Sequence, residues 1–345
     1  MIVIFRSKGV FSMKNVKLCQ GSLIAGAVGD ALGYEIEFLR LFQIKQEFGE
    51  KGIRDYVLHG GQAIFSDDTQ MTLFTAEGCF RATAPENSLQ SIRRAYLDWF
   101  DTQTRHFPLD DNRGSELLKE RELFERRAPG MTCMSALDEG GNGTLTHKIN
   151  DSKGCGGVMR VAPIGLYYTL DDMESIKIDL LGAQAGALTH SHELGWIPCA
   201  GLVHMVRLLS QEGATMHEAT ESMIAHMAEL FAGLEFTDDF TEIMNEALQI
   251  ADSAETTEDC IKSLGGGWVG EQALAIAVFC ALRYEDDFTE CICASVNHDG
   301  DSDSTGAIAG NLIGAKLGID AIPQRYLEHL QLRELMMQMG EKLAK

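Results

Sequence analysis

Glycine occupies every fourth position from 306 to 318 (Gly306, Gly310, Gly314, Gly318), in a segment whose apolar spacing is helical. Each glycine in a helix interior costs roughly 1 kcal/mol relative to alanine. Four on one face leave a stripe without side chains, along which another backbone can pack at short range. Near the start of the chain, LIAGAVGDALG carries Ala25, Gly29 and Gly33 at the same spacing. The pattern predicts two helices packed against each other in the middle of a bundle. Small residues at this interval are best known from membrane helices, but Asn311, Lys316 and the shortness of the segment argue against a span here.

The remainder of the chain reads the same way. Helical periodicity predicts helices over 22–33, 69–82, 86–101, 174–189, 193–210, 215–232, 238–253, 270–283, 304–318 and 331–343. Alternating β-branched runs are nearly absent, and 53–58 is the best strand candidate. No linker, repeat or low-complexity tract divides the chain. The expectation is an all-α fold: a compact orthogonal multi-helix bundle with long functional loops, spanning 18–345 as one domain. Residues 1–17 form an N-terminal extension and a candidate for disorder, with Met13 an alternative start. The longest stretch expected to lack helix, 102–165, is rich in Gly, Asp and Asn and is expected to be a functional surface.

The 345 residues carry 51 acidic against 29 basic side chains, a formal charge of -22. Such a surface repels phosphate backbones and anionic lipids, so nucleic-acid and membrane partners are not expected. No apolar run is long enough for a bilayer, and the N-terminus lacks the form of a signal peptide. Nine cysteines without a CxxC pair suit buried free thiols and a reducing cytoplasm. A monomer is favoured.

Two acidic helix starts carry the chemistry. Ser66-Asp67-Asp68-Thr69 precedes the run QMTLFTAEGCF, and Asp299-Gly300-Asp301-Ser302-Asp303-Ser304-Thr305 precedes GAIAGNLIGAKLG. A helix cap uses one side-chain oxygen; each start holds more acid than that. The surplus carboxylates would repel one another if the two starts met, and a hard divalent cation would resolve the repulsion. Mg²⁺, Mn²⁺ and Ca²⁺ all take carboxylate, hydroxyl and water oxygens. Neither start fits an EF-hand loop, and no Cys/His cluster has zinc spacing. Asp30 and Glu37, flanking the end of the first helix, stand ready to add carboxylates.

Ser152-Lys153-Gly154-Cys155-Gly156-Gly157 offers backbone N–H groups, a hydroxyl and an ammonium suited to a diphosphate. A tight turn is the plainer alternative. Arg160 is expected in a salt bridge sooner than on a phosphate. His190, at a helix boundary, offers a ring to stack on a base or a donor to a phosphate; capping or packing is the commoner role of a lone histidine. The segment 127–133 (RAPGMTC) yields no chemistry by itself.

In order along residues 18–320, GSLIAGAVGDALGYEIEF, FSDDTQMTL, RRAPGMTCMSAL, KGCGGVMRVAPIGL, LTHSHELG, GGGWVGEQALAIAVFCAL and GDSDSTGAIAGNLIGAKLG resemble the ADP-ribosylglycohydrolase family. The resemblance implies an all-α bundle with two Mg²⁺ or Mn²⁺ ions in a central dinuclear site. It implies metal ligation by Ser66, Asp67, Asp68, Asp301, Asp303 and Ser304, with Glu37 at the mobile glutamate position above the metals. It also implies substrate contacts from Ser152, Lys153, Gly154, Cys155, Gly156 and His190 to the adenosine and diphosphate side of ADP-ribose. Cys155 departs from the asparagine common in the family, and Lys153 from the aromatic found in some members.

The chemistry so implied is hydrolysis of a glycosidic bond between ADP-ribose and an acceptor, with Asp301 or Glu37 accepting the proton of water. The substrate partner is an ADP-ribosylated protein or small molecule, with nucleic acid entering only as an ADP-ribosylated acceptor. Two alternatives stay open on the residues alone: a metal-dependent phosphohydrolase of a nucleotide or sugar phosphate, and a non-catalytic ADP-ribose reader.

Overall fold

The first long helix and the glycine-striped one run antiparallel, in backbone-to-backbone contact along their whole length. In this computed structural model, which describes residues 15–111 and 113–345, α1 is Val16–Gly33 and α14 is Ser302–Leu317. A Cβ built on Gly29 would fall 2.0 Å from the Gly306 carbonyl oxygen, and one on Gly310 would fall 2.1 Å from that of Ala25. At the far end, a Cβ on Gly314 would fall 2.3 Å from the Gly21 oxygen. No side chain fits these positions, so the stripe expected from the sequence is the seam of the bundle. Both helices are buried nearly throughout.

Around this pair lie α2 (Leu41–Phe48), α3 (Asp67–Arg81), α4 (Ser88–Thr104), α5 (Met131–Asp138), α6 (Ala162–Tyr167), α7 (Ser175–Ala187) and α8 (Glu193–Arg207). The second half adds α9 (Met216–Leu230), α10 (Thr237–Ala251), α11 (Thr257–Leu264), α12 (Gly270–Arg283) and α13 (Phe288–Val296), then α15 (Gln324–His329) and α16 (Arg333–Leu343) after α14. The all-α expectation holds: the described residues contain single bridges, such as Gly154 with Val269, but no strand. No helix among them is long and apolar enough to cross a membrane. One apolar core runs through the whole body.

The strand expected at 53–58 is absent. Asn297 takes the place of a neighbouring strand: its Oδ1 accepts from the Ile53 N–H at 2.7 Å, and its Nδ2 donates to the Ile53 carbonyl at 2.9 Å. The Tyr326 hydroxyl satisfies the Arg54 carbonyl at 2.7 Å. The stretch 102–165 also differs from its expected loop: it holds α5, α6 and a 3₁₀ turn over Cys155–Arg160. Of the N-terminal extension, residues 1–14 lie outside the described residues; Val16 and Lys17 already belong to α1, which Asn15 caps by accepting from the Lys17 N–H at 3.0 Å. Eight of the nine cysteines are buried, and Cys155 is half-buried.

Candidate active site

Antiparallel packing sets the end of α1 beside the start of α14: a Cβ on Gly33 would fall 2.2 Å from the Ser302 carbonyl oxygen. Asp30, one turn before that end and fully buried, turns its carboxylate into the start of α3. Its Oδ1 accepts from the Ser66 N–H at 2.8 Å; its Oδ2 accepts from the Thr69 N–H at 2.9 Å and the Thr69 hydroxyl at 2.5 Å. One aspartate of α1 thereby satisfies donors that open α3. The two acidic starts, more than 230 residues apart in sequence, meet because α1 touches both.

They open into a cavity of about 220 Å³ lined by Glu37, Asp67, Asp68, Asp301, Asp303 and Ser304. Across from them stand Gly154, Cys155, Gly156 and His190, with Trp268 and the segment from Ala128 to Cys133 completing the wall. No lysine or arginine is among the lining residues. One oxygen each from Glu37, Asp301 and Asp303 lie within 4.8 Å of one another. Glu37 Oε2 and Asp68 Oδ2 are buried without a hydrogen-bond partner.

Like charges held this close out of water disfavour ionisation. Burial, then the charges of Asp301, Asp67 and Asp30, push the Glu37 carboxyl up to about 8. Burial likewise pushes Asp67 up to about 8, against the hydrogen bond it accepts from the Gly130 N–H at 3.2 Å. Asp68 and Asp303 are driven well above the usual carboxylate range, by burial first and then by their acidic neighbours. Burial raises Asp301 too, opposed by hydrogen bonds from its neighbours. Its Oδ1 caps α14 through the Ser304 N–H at 3.2 Å, and its Oδ2 lies 2.8 Å from the Cys155 thiol. An oxygen-only set of carboxylates with no cationic side chain and two orphaned buried oxygens is the donor set a hard divalent cation takes.

Three expected site residues are placed differently from the rest. Ser66 is fully buried and its hydroxyl caps α3, accepting from the Asp68 N–H at 3.2 Å, so it does not line the cavity. The Ser152 hydroxyl lies behind the glycine turn, accepting from the Gly154 N–H at 3.3 Å and sitting 3.2 Å from that of Thr132. The Lys153 ammonium is paired with Glu271 at 2.5 Å. Gly154, Cys155 and Gly156 face the cavity, and a Cβ on Gly156 would fall 3.0 Å from the His190 ring. His190 is 2% exposed, and burial followed by the charge of Arg160 lowers its pKa to about 3, leaving a neutral imidazole.

Arg160 does not line the cavity, and the expected salt bridge is absent among the described residues. It is fully buried, 4.3 Å above the Tyr96 ring, and donates to Thr189 Oγ1 at 2.7 Å and the Ala185 carbonyl at 3.2 Å. A planar guanidinium stacked on an aromatic face needs no carboxylate to remain inside.

Residue type alone assigns no role to the segment 127–133, yet it closes one wall. Arg127 is anchored beneath it, donating to the Phe65 carbonyl at 3.0 Å and to Gln331 at 2.5 Å. Ala128 adopts a φ of 51°, strained for a residue with a side chain, and its turn delivers the Gly130 N–H to Asp67. The signal available in the sequence was Ala-Pro-Gly directly after two arginines. Trp268 was equally unassigned. It stacks on Phe38 at 6.0 Å, and its carbonyl accepts from the Cys155 N–H at 3.3 Å, fixing the glycine turn against the loop before α12.

Fold and cavity together define an all-α protein with an acidic pocket between helix ends. A solved structure titled "ADP-ribosylglycohydrolase-related protein complex" shares that fold, with a TM-score of 0.66 at 23% identity, covering 95% of this chain and 97% of the other. The model of the ADP-ribosylglycohydrolase family matches residues 15–345, and the chain belongs to that family. ADP-ribosyl-[dinitrogen reductase] glycohydrolase of Rhodospirillum rubrum is 26% identical over 94% of this chain and 95% of its own length. ADP-ribosylhydrolase ARH3 of Homo sapiens is 27% identical over 51% of this chain and 53% of its own. The chain is accordingly a hydrolase acting on glycosidic bonds of ADP-ribose.

Proposed function

We propose that this hydrolase is metal-dependent, and that it releases ADP-ribose from an acceptor that is a protein side chain or a small molecule. The observation that carries the reading is the convergence of Glu37, Asp67, Asp68, Asp301 and Asp303 on one cavity without a cationic side chain. Asp67, Asp68, Asp301, Asp303 and Ser304 would hold two divalent cations, Mg²⁺ or Mn²⁺, with Ser66 holding the Asp68 N–H and the Arg127 carbonyl holding the Asp67 N–H from behind. Bound cations would neutralise the carboxylates and polarise the ribose hydroxyls and a water beside the scissile bond.

The chain's own residues supply the rest. The Gly154 and Cys155 N–H groups are taken by the Ser152 hydroxyl and the Trp268 carbonyl, so the turn meets the ligand with its side-chain-free surface at Gly154 and Gly156. That surface and the neutral His190 ring suit the diphosphate and adenosine side, with Ser152 and Lys153 bracing the turn. As the bond from C1″ to the acceptor breaks, positive charge grows on the ribose, and the carboxylates around it stabilise that charge. Glu37 or Asp301 accepts one proton of water as the water oxygen bonds to C1″ and the bond from C1″ to the acceptor breaks. That proton passes on to the departing acceptor, which leaves protonated and returns the carboxylate to its starting state.

A panel of ADP-ribosylated substrates, each incubated with Mg²⁺, with Mn²⁺ and after chelation, tests the reading. Free ADP-ribose produced only with added cation is the expected result. Undiminished turnover in chelated protein refutes the metal dependence.

A further inference from the structure

Asp179, His204 and His226 come from three different helices, α7, α8 and α9, and meet away from the acidic cavity. Asp179 lies 11 residues before His190, about 16 Å along the axis of α7 and its extension. The carboxylate is fully buried, His204 nearly so, and His226 closes the outer side. His204 Nδ1 is 2.9 Å from Asp179 Oδ2, and His226 Nε2 is 3.1 Å from the same oxygen.

The contacts are uneven in a telling way. The Ser175 hydroxyl also falls on Oδ2, at 3.5 Å, while Oδ1 is buried with no partner. His226 Nε2, although close, does not have the alignment of a hydrogen bond and is itself a buried, unpartnered atom. The two imidazoles stack at 4.8 Å with 17° between their planes, and the far nitrogen of His204 is held by the Ser222 hydroxyl at 3.0 Å. Arg207, whose charge also acts on Asp179, donates to Ser175 and pairs with Glu212.

We propose that Asp179, His204 and His226 form a second metal site, for a borderline transition-metal ion of the zinc class, distinct from the oxygen-only site. Two imidazole nitrogens and a carboxylate oxygen suit such an ion over Mg²⁺. The ligand atoms already share one locus, and Ser222 fixes the His204 ring as a metal ligand's outer partner does. On binding, the two ring nitrogens that face the carboxylate give up any proton they carry to their other nitrogen or to solvent, and the ion bonds in its place. The site would clip α7, α8 and α9 together behind the wall that carries His190.

Cobalt(II) is the probe, because a four- or five-coordinate site containing nitrogen absorbs visible light far more strongly than a six-coordinate site of oxygens. The chelated full-length protein, with excess Mg²⁺ present, is titrated with Co²⁺ and followed by absorption. The expected result is an intense visible band that saturates at one equivalent, is lost in His226→Ala and Asp179→Asn, and persists in Asp303→Asn. His226 is partly exposed, so His226→Ala tests the site even if Asp179→Asn does not fold. Absence of the band, its survival in His226→Ala, or its loss only in Asp303→Asn overturns the proposal and leaves the cluster a buried ion-paired triad.

Discussion

The thiol of Cys155 lies 2.8 Å from Oδ2 of Asp301, while Oδ1 of that carboxylate caps α14. Burial, followed by the charge of Asp301, drives the thiol pKa well up, so it stays protonated and donates. A donor at this point restrains one oxygen of a carboxylate proposed as ligand and base. A single hydrogen bond is worth about 1 kcal/mol net. Cys155→Ala is expected to lower kcat by less than about tenfold, and Cys155→Asn, which supplies an amide donor, to restore it. Cys155→Asp adds a further negative charge to a site already crowded with them and is expected to abolish turnover. Steady-state release of ADP-ribose by the three variants checks this; an active Cys155→Asp enzyme contradicts the placement of Asp301 in the reaction.

The raised carboxyls predict how stability depends on pH. Glu37 and Asp67 sit at about 8 in the folded protein, against ordinary values of 4.5 and 3.8. The folded state therefore holds protons that the unfolded chain releases. Stability from these groups is fully present below their unfolded values and is lost as pH rises through the folded ones. Chelated protein should become progressively less stable between about pH 4 and about pH 8 on this account. A bound divalent cation replaces the protons, so the rise in melting temperature on adding Mg²⁺ should grow across the same window. Melts with and without Mg²⁺ at matched pH isolate the effect, and a Mg²⁺ increment that shrinks with rising pH would sink it.

Asp303→Asn removes a charge that repels Asp68, Asp301 and Glu37. Without cation the variant is expected to equal or exceed the parent in stability above neutral pH. Its turnover should vanish, and Asp301→Asn should do the same while weakening the cap on Ser304. Circular dichroism and thermal melts, run beside the activity assay, separate loss of function from loss of fold. Normal activity in either variant removes the carboxylate cluster from the mechanism.

The helical class, the two acidic starts and the glycine seam were legible because each rests on residue type at fixed spacing. The seam is the sharpest case: only a residue without Cβ permits Gly29 against Gly306, so a four-residue period in the letters is a contact in space. Short helices α2, α11, α13 and α15 escaped because six to nine residues hold too few turns for periodicity to show. Strand-like letters at 53–58 misled because Asn297 and Tyr326, about 240 to 270 positions away, satisfy that backbone. Arg160 misled because charge in the sequence suggests an ionic partner, whereas the Tyr96 ring, the Thr189 hydroxyl and the Ala185 carbonyl receive it. The segment 127–133 has meaning only once Asp67 stands opposite it.

That seam makes a stability prediction. Gly29→Ala would set a methyl carbon 2.0 Å from the Gly306 oxygen, backbone that cannot rotate aside. Overpacking of a core commonly costs about 1–3 kcal/mol, and more where nothing can yield. The variant is expected at or above the top of that range, with activity falling alongside stability because the same contact registers α1 against the start of α14. Gly213→Ala makes a useful contrast: its Cβ meets nothing within 4 Å, and only its φ of 70° opposes it. Denaturant midpoints for the two variants should differ clearly, with Gly29→Ala the weaker; equal midpoints would mean that the helices separate at little cost.

His190 is buried with Nδ1 2.8 Å from the Thr189 hydroxyl, and its ring stands against Gly154 and Gly156 on the cavity wall. With its pKa held at about 3 it stays neutral through the working range, so it cannot act as an acid or base that titrates near 6.5. Its role in the proposed function is to hold ligand equally in ground and transition states. His190→Ala should then raise KM by about tenfold, the worth of one hydrogen bond or stacking contact, with kcat little changed. The pH profile of kcat/KM should keep its shape in the variant. Stability carries the opposite sign from the carboxylates: a histidine depressed by burial contributes above its unfolded value of 6.5 and loses that contribution as pH falls toward 3. A variant whose kcat collapses while KM holds, or whose pH profile loses a limb, would make His190 a participant in the chemistry instead of a wall of the pocket.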